Sequence, residues 1–414
     1  MNQMEQLSRG EAVMARLAEL ARYTEEPGRL TRRYLSAPYC EAAAQIETWM
    51  REAGMTAAVD AVGNVVGRLE GTQPDLPALI IGSHFDTVRD AGWYDGNLGV
   101  IAAIACVETL AKRNERLPFA IEVIAFGDEE GGRFPTTLTG ARAVAGRFDA
   151  TTLDSRDEAG TSLREALTAF GCDPEAAARL GRAREAVHGY VELHIEQGPV
   201  LEAEGLPVGI VTAINGSNRF DVSVTGMAGH AGTVPMGLRR DALAGAAEMI
   251  AFVESLAKET ETLVATVGRI EARPGAVNVV PGEVHFTLDV RAPTDAVRQA
   301  AVARIKERLH AIADRRELAL SIEQTSDAAA TVCNPSLMDQ LEAAVERAGL
   351  RPLQLPSGAG HDGMVFRELC PVGMLFLRCG GGISHNPAES VTAEDVAVGT
   401  SVLLDFIERF EPAA

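Results

Sequence analysis

The sequence has few of the features that secretion or membrane insertion requires. Its first residues, MNQMEQLSRGEAVMARL, lack the basic start and the apolar stretch of about 7 to 15 residues that a signal peptide contains. The longest apolar run, Val100 to Val107, is far shorter than the roughly 20 residues that cross a bilayer. We therefore expect a soluble, cytoplasmic protein without a membrane partner.

Cysteine pairs are also missing. The six cysteines are scattered without a CxxC pair, which argues against a zinc knuckle and against a disulfide framework. We expect all of them to be buried, reduced side chains: Cys40, Cys106, Cys172, Cys333, Cys370 and Cys379.

Positive charge is scarce as well. The chain has 38 Lys and Arg against 58 Asp and Glu, which gives a net charge of -20 and a pI of about 4.9. Because nucleic-acid phosphates require a basic face, we expect no nucleic-acid partner. A small anionic ligand would have to be bound by local arginines.

The composition is typical of a globular protein with a large core. At roughly 150 residues per domain, 414 residues favour two compact units. Strand and helix patterns alternate in the first half and resume after Arg351, which predicts an α/β fold with a mainly parallel sheet. The segments that carry this pattern are ALIIG, NLGVIAAIACVETLAKR, AIEVIAFG, YVELHI, VGMLFL and the helix over 393–410.

A different pattern occupies residues 219–325. Alternating strands and two helices follow one another in the order βαββαβ, the split unit of ferredoxin-like α+β domains. We therefore expect a catalytic, metal-binding domain from residues 1–215 and 329–414, interrupted by an inserted domain over 216–328. The insert would act as a lid or a dimerisation domain.

The eight histidines are few for this length, and five of them lie in loop-like motifs. Several of these motifs, and several acidic ones, follow predicted buried strands, where open α/β sheets place their ligand sites. Taken singly, each residue has an ordinary explanation: a hydrogen-bonded histidine, an Asp-Gly turn or a solvated pair of glutamates. Taken together they predict a metal site, with candidates His84, Asp86, Asp95, Glu129, Glu130, His194 and His385.

The types of candidate ligand indicate the kind of metal. Three histidines and several carboxylates, with no cysteine among them, suit zinc, manganese or a similar divalent ion. Carboxylates can bridge two ions, so the number of ligands predicts two metals and leaves one carboxylate as a general base. Glu129 and Glu130 follow an apolar strand without a nearby lysine, where ionised carboxylates are costly unless a cation is present.

These motifs closely resemble those of the amidase, hydantoinase and carbamoylase family of metallopeptidase-like hydrolases. The resemblance covers nearly the whole chain, with motifs in the family's order and spacing. The segment from Gly82 to Val100 and the segment GDEEGGRFPTTLTG are most similar to the allantoate amidohydrolase branch. The motifs are HFD, YDG, DEEGGRFPTTLTGARAVAG, HIEQGPVLE, GHAGTVPMGLRRDAL, SGAGHDGMVF and GISHNPAE.

The resemblance implies a role for each candidate. One metal would be bound by His84, Asp95 and His194, and the other by Asp95, Glu130 and His385, so that Asp95 bridges the two. Glu129 would be the general base, and Asp86 would orient His84. Related aminopeptidases usually have an aspartate at the position of His194, so the histidine favours the carbamoylase branch.

The resemblance also implies substrate-binding residues. His230 would stabilise an oxyanion, and Asn278 and Arg291 would bind a substrate carboxylate. Gln197, Gly360 and His361 would contact the substrate from the catalytic domain. Without the resemblance, His230 is better explained as a turn histidine and Arg291 as one half of a surface salt bridge.

We expect the enzyme to hydrolyse allantoate to ureidoglycine, carbon dioxide and ammonia, as a homodimer in which His230 serves the partner's site. An N-carbamoyl-L-amino acid hydrolase and a β-ureidopropionase are the alternatives with the same mechanism. A non-catalytic binding protein on the same scaffold is disfavoured because every ligand and the base are present. An NAD-dependent oxidoreductase rests only on the GxGxxG spacing of Gly358, Gly360 and Gly363, which comes late in the chain and is not followed by a ribose-binding strand.

Overall fold

The computed structural model describes residues 3–412, which form two compact units. The first unit contains the described residues up to 212, Cys333–Leu355 and the residues from 360 onward. The second contains Ala213–Val332 and Pro356–Ala359. The expected domain bounds, 1–215 and 329–414 with an insert over 216–328, remain a prediction, and the segment 356–359 lies in the second unit. The reason is local, because Gly358 O accepts a hydrogen bond from Arg291 Nη1 at 2.7 Å.

The chain begins with helices and strands of the first unit. They are α1 (Gln3–Leu20), α2 (Ala37–Glu52), β1 (Thr56–Val59), β2 (Val65–Leu69), β3 (Ala78–His84), α3 (Asn97–Lys112), β4 (Ala120–Phe126), α4 (Thr139–Val144), α5 (Leu163–Phe170), β5 (Val187–Ile195), α6 (Val200–Glu204) and β6 (Val208–Ile214).

The middle of the chain contains β7 (Gly216–Thr225), β8 (Gly229–His230), α7 (Ala242–Glu259), β9 (Val264–Thr266), β10 (Ile270–Arg273), β11 (Val279–Val280), β12 (Glu283–Ala292), α8 (Asp295–Arg315), β13 (Ala319–Ala328) and β14 (Thr331–Val332). The last part contains α9 (Pro335–Arg347), β15 (Gln354–Ser357), α10 (Gly363–Phe366), β16 (Val372–Leu377) and α11 (Ala393–Arg409).

The central sheet has parallel strands in its middle. Its order is β1-β2-β4-β3-β5-β16-β6-β14, with β15 also paired to β6. The strands β4, β3, β5 and β16 run parallel, whereas β1, β2, β6 and β14 pair antiparallel. The predicted α/β fold class with a mainly parallel sheet is confirmed. The antiparallel direction of the outer strands was not predicted. The two separated stretches of strand pattern do share one sheet, since β16 lies beside β5.

The parallel strands are apolar on both faces because helices cover the sheet. Every residue of β3 and of β4 is buried, as expected for strands of a sheet covered on both sides. Helix α3 is buried along nearly its whole length and packs against β3, with α1 and α11 outside it. These elements fix the carboxyl ends of β3, β4, β5 and β16 along one edge of the sheet.

The second unit is an antiparallel sheet with two helices. Its strand order is β10-β12-β7-β13, with β9 also paired to β12, and this order agrees with the predicted βαββαβ pattern. Alternate residues of β12 face the core formed with α7 and α8: Val284, Phe286, Leu288 and Val290. Asp289 and Arg291 therefore lie on the opposite face of the sheet.

Two further sequence expectations can be compared with the described residues. All six cysteines are free, and four are buried, but Cys40 and Cys172 are only partly buried. The expectation of six buried thiols was wrong for these two because a surface cavity of about 360 Å³ opens beside both. Within residues 3–412, no helix is both long enough and apolar enough to span a membrane.

Candidate metal centre

The candidate ligands of the first unit lie at the carboxyl ends of the parallel strands. His84 is the last residue of β3, and His194 lies one residue before the end of β5. Asp95 lies just before α3, Glu130 follows β4, and His385 follows β16. Because neighbouring parallel strands end at the same edge of a sheet, these five side chains come from distant parts of the chain to one place.

The first group consists of His84, Asp95 and His194, all buried. One potential ligand atom from each lies within 4.8 Å of the others. Nε2 of His84 is 3.4 Å from Asp95 Oδ1, and Nε2 of His194 is 3.1 Å from the same oxygen. Two imidazole nitrogens and one carboxylate oxygen therefore converge in a space that a single ion can occupy.

The other ring nitrogen of each of these two histidines is already bound. Nδ1 of His84 lies 3.0 Å from the Asp86 carbonyl, and Nδ1 of His194 lies 2.8 Å from the Ile195 carbonyl. A carbonyl can only accept, so each Nδ1 carries the proton and, in the neutral ring, each Nε2 presents a lone pair. Lone pairs aimed at a carboxylate oxygen repel it unless a cation lies between them, either a proton on each ring or a metal ion in place of those protons, and this arrangement fits a metal.

The second group consists of Asp95, Glu130 and His385. Nε2 of His385 is 3.2 Å from Asp95 Oδ2 and 3.2 Å from Glu130 Oε1. Asp95 thus offers one oxygen to each group, as a bridging carboxylate would. His385 is half exposed and has a φ of +54°, which is unusual for a residue other than glycine.

The electrostatics of the two groups favour positive charge. Burial by itself would raise the pKa of Asp95, but hydrogen bonds from His194, His385 and His84 hold this pKa well below its usual range. The carboxylates Asp95 and Glu130 raise the pKa of His385 to about 10. A divalent ion supplies the charge that these carboxylates attract, so the residues present fit two divalent ions.

Glu129 lies beside the first group, which already has three potential ligands without it. A carboxylate oxygen of Glu129, one of Glu130 and a ring nitrogen of His84 are within 4.8 Å of one another. Burial is the largest cause that raises the pKa of Glu129 well above its usual range. A carboxylate with a raised pKa is a stronger proton acceptor than an ordinary carboxylate, as a general base requires.

Asp86 was expected to orient His84 from behind the ligands. It does contact His84, but through its backbone carbonyl. Its carboxylate instead accepts hydrogen bonds from the backbone N–H groups of Glu129 and Glu130, at 3.2 and 3.3 Å. The Asp86 side chain therefore orients the loop that carries the base and a ligand.

Gln197 and Ser384 contact the shared carboxylate. Gln197 Nε2 donates to Asp95 Oδ2 at 2.8 Å, and Ser384 Oγ lies 2.8 Å from the same oxygen. Among the described residues, Oε1 of Gln197 is buried without a hydrogen-bond partner. An acceptor in that position is available for the expected substrate contact.

Sequence reasoning missed Glu389. This buried carboxylate accepts hydrogen bonds from the backbone N–H groups of Tyr94 and Asp95, at 2.8 and 3.2 Å. It also accepts from Ser384 Oγ at 3.1 Å, so it links the segments that carry Asp95 and His385. A Cβ on Gly92 would lie 2.3 Å from Glu389 side-chain atoms, so the glycine makes room for it. The sequence signal that could have identified Glu389 was its position at the end of the motif HNPAE.

Arg32 was also missed, because its partners are backbone and side-chain groups that come close only in the folded chain. Its buried guanidinium donates to the carbonyl of Phe85 at 2.8 Å, to that of Leu20 at 2.8 Å, and to the side chain of Asn97. Burial lowers the pKa of Arg32 to about 10, so it remains charged at neutral pH. Phe85 follows the ligand His84 directly, and Asn97 lies two residues after the ligand Asp95.

The remaining expected residues of the first unit are Gly360 and His361. A Cβ on Gly360 would lie 3.9 Å from Glu129 Oε1, which places this glycine next to the candidate base. His361 is buried, with its ring centroid 4.4 Å from that of His194. Both therefore lie beside the candidate metal ligands.

The second unit carries His230, Asn278 and Arg291. His230 and Asn278 lie together, since β8 pairs with β11 and Ala231 N donates to Asn278 O at 2.9 Å. Both are exposed. Arg291 lies on β12, in the larger sheet, and lines a cavity of about 610 Å³ within this unit.

The fold and the paired ligand groups define a metal-dependent hydrolase. A family model described as peptidase family M20/M25/M40 matches residues 80–409, and the chain belongs to this family. The proteins similar to this chain are named as amidohydrolases and deiminases. This chain is an amidohydrolase.

The similar proteins cover nearly the whole chain. An N-carbamoyl-L-amino acid amidohydrolase of Geobacillus stearothermophilus is 43% identical over 95% of this chain and 97% of its own length. Allantoate deiminase 1 of Glycine max is 42% identical over 98% of this chain and 90% of its own. The crystal structure of an amidase of the hydantoinase/carbamoylase family from Burkholderia multivorans has a TM-score of 0.91 and 33% identity, over 98% of both chains.

Proposed function

We propose that the chain hydrolyses allantoate to ureidoglycine, carbon dioxide and ammonia, with two divalent ions, zinc or manganese, in each subunit. The observation that carries the proposal is the pair of ligand groups that share Asp95, with Glu129 beside them. The allantoate deiminase similar to this chain supports the choice of substrate. The segments from Gly82 to Val100 and GDEEGGRFPTTLTG support it as well.

The chemistry follows from the ligands and the base. When bound, the two ions polarise the ureido carbonyl and make hydroxide available from water near neutral pH. Glu129 accepts the proton of the attacking water and passes it to the leaving nitrogen. In the arrangement that the resemblance implies, His84, Asp95 and His194 would hold one ion, and Asp95, Glu130 and His385 would hold the other.

The remaining residues bind and orient the substrate. Arg291 and Asn278 bind the substrate carboxylate, and His230 stabilises the oxyanion that forms on the ureido carbon. Gln197, Gly360 and His361 contact the substrate from the first unit. The enzyme acts as a homodimer in which His230 serves the site of the partner subunit.

N-carbamoyl-L-amino acids are a second candidate substrate class. They share the carboxylate and the carbamoyl nitrogen of allantoate but have an amino-acid side chain in place of the second ureido group. The cavity beside Arg291, of about 610 Å³, has room for such a side chain, and the exposed Val264 lines it. The 43% identity to an N-carbamoyl-L-amino acid amidohydrolase favours the same alternative.

A substrate panel distinguishes these possibilities. Ammonia release is measured with allantoate, N-carbamoyl-L-amino acids, N-carbamoyl-β-alanine and dipeptides, after removal of metal and after addition of zinc or manganese. The proposal requires the highest kcat/KM for allantoate and loss of activity with a chelator. A preference for N-carbamoyl-L-amino acids would establish the second candidate, and hydrolysis of dipeptides alone would overturn both.

The base assignment predicts a contrast between two adjacent glutamates. Glu129→Gln should retain both ions, because Glu129 is not a proposed ligand, but lower kcat by about 10² to 10⁴, the usual loss on removing a general base. Glu130→Gln should instead lower the affinity for metal, since an amide is a weaker ligand than a carboxylate. Metal content and kcat are measured for both. Near-normal turnover by Glu129→Gln would contradict its role.

A further inference from the structure

The open face of the second sheet carries a cluster of three charged side chains. Asp289 and Arg291 lie two residues apart on β12, so both point to the face that the helices leave uncovered. Arg219, on β7, is directly opposite Asp289 in the strand register. The cluster therefore lies on regular paired strands rather than on a loop.

Three hydrogen bonds fix the guanidinium of Arg291. Nε donates to Asp289 Oδ1 at 2.8 Å and Nη2 donates to Asp289 Oδ2 at 3.0 Å, while Nη1 donates to the Gly358 carbonyl at 2.7 Å. A guanidinium has five N–H donors. Three of these donors are bonded to described residues, so one N–H remains on each of Nη1 and Nη2. Two such donors can bind both oxygens of a carboxylate.

Asp289 is itself held in place. Arg219 Nε donates to Asp289 Oδ2 at 3.0 Å, so the carboxylate receives bonds from both arginines. Burial would raise the pKa of Asp289, but the two arginines hold it below its usual range. Asp289 is thus ionised at neutral pH and can accept all three bonds at once.

We propose that Asp289 is a positioning residue that presets Arg291 to bind the carboxylate of the substrate, and that Arg219 supports it by holding Asp289. The inference rests on the proposed function, in which Arg291 binds that carboxylate. An unrestrained arginine loses rotamer freedom when it binds a ligand, and a guanidinium already held in its binding geometry avoids much of that loss. Asp289 would therefore lower KM without taking part in bond cleavage.

The cluster differs from an ordinary surface ion pair. An exposed pair contributes little because solvent screens it and both side chains lose freedom. The side chains of Arg291 and Asp289 retain 29% and 26% of their exposure, and two parallel hydrogen bonds join them. This geometry specifies the orientation of the guanidinium plane, which a single contact would leave free.

The test compares Asp289→Asn with Asp221→Asn. Asp221 lines the same cavity and faces Thr287 in the strand register, and no described hydrogen bond joins it to Arg291. Both changes remove one negative charge, but only Asp289→Asn disrupts the two-pronged contact with Arg291, because the amide nitrogen cannot accept a hydrogen bond. For the carboxylate substrate that the wild type hydrolyses best, Asp289→Asn should raise KM by about 10-fold or more with kcat within about twofold, since a hydrogen bond to a charged group is worth about 1.5 to 3 kcal/mol.

Further arms of the experiment separate positioning from other effects. Arg219→Gln should raise KM by only about two- to fivefold, as expected for the exposed half of the cluster. The carboxamide analogue of the substrate, which offers Arg291 no carboxylate, should show the same kcat/KM with Asp289→Asn as with the wild type. Arg291→Lys, which cannot form the two-pronged contact, should raise KM for the carboxylate substrate at least as much as Asp289→Asn does.

Each contrary outcome identifies what has failed. An Asp289→Asn protein with unchanged or lower KM overturns the positioning role. The same KM change in Asp289→Asn and Asp221→Asn overturns it as well, because it shows a charge effect only. Equal losses on the carboxylate and the carboxamide overturn it as well, because they indicate general damage. If Arg291→Lys leaves KM unchanged, Arg291 does not bind the carboxylate and the inference falls with that assignment. A wild type that hydrolyses no ureido or carbamoyl compound overturns the proposed function, and this inference with it.

Discussion

At the scale of single residues, the candidate centre depends on small side chains as much as on ligands. Gly96 lies between the ligand Asp95 and helix α3 and has a φ of +66°. A Cβ at this position would lie 2.5 Å from three atoms of the His84 ring. No side chain larger than hydrogen can be accommodated there without displacing a ligand.

Gly96→Ala is therefore expected to push His84 away from Asp95. We expect the affinity for divalent metal to fall by about 10- to 100-fold, the usual cost of disturbing the support of a ligand. Competition with a chelating dye measures this without requiring activity. Gly28→Ala is the matched control, because Gly28 also has a positive φ, of +81°, but has nothing within 4 Å of its Cβ position. Equal metal affinities in the two variants would contradict the steric argument.

At the scale of elements, helix α3 positions Asp95 by packing very closely on the sheet. A Cβ on Gly99 would lie 2.2 Å from the Leu193 carbonyl oxygen, and backbone atoms cannot move aside as a flexible side chain can. The contact joins α3 to β5, the strand that carries His194. Close packing here thus sets the distance between two ligand-bearing elements.

Gly99→Ala should lower stability by about 1 to 3 kcal/mol through overpacking, despite the better helix propensity of alanine. Gly399→Ala is the comparison within helix α11, where the nearest obstacle is the movable Leu377 Cδ1 at 2.5 Å. Calorimetry should show a clearly lower transition temperature for Gly99→Ala than for Gly399→Ala. Similar transition temperatures would indicate that α3 shifts at little cost.

At the scale of the whole molecule, the proposed dimer predicts that two inactive variants recover activity when their chains are mixed. His230 belongs to the second unit, and the base and ligands belong to the first. If His230 serves the partner's site, then mixing His230→Ala with Glu129→Gln should restore activity. Random pairing makes about half of the dimers mixed, each with one intact site, so about one quarter of wild-type activity should return.

The measurement requires reversible dissociation and proof of subunit exchange, for example by mixing differently tagged chains. Each variant assayed alone provides the baseline. Exchange without recovered activity would show that His230 acts in its own chain, or not at all.

The sequence by itself determined the elements and the identity of the candidate ligands. Short apolar runs such as AIEVIAFG, which alternate with helix patterns, favour strands of a covered sheet, and the polar residues that follow them then lie at its edge. This local information sufficed for the α/β class, for the βαββαβ insert and for the set of candidate ligands, whereas their division into two groups came from the resemblance. The resemblance assigned their roles.

The tertiary structure alone decided how those residues are supported. Glu389, Arg32 and Asp289 were not predicted, because their partners are backbone groups or side chains brought close by strand pairing and loop packing. The carboxylate of Asp86 likewise contacts residues 129 and 130 rather than the histidine near it in sequence. A pattern along the chain records which residue types are present, whereas a hydrogen bond depends on distance and direction between atoms, and only the folded chain determines those.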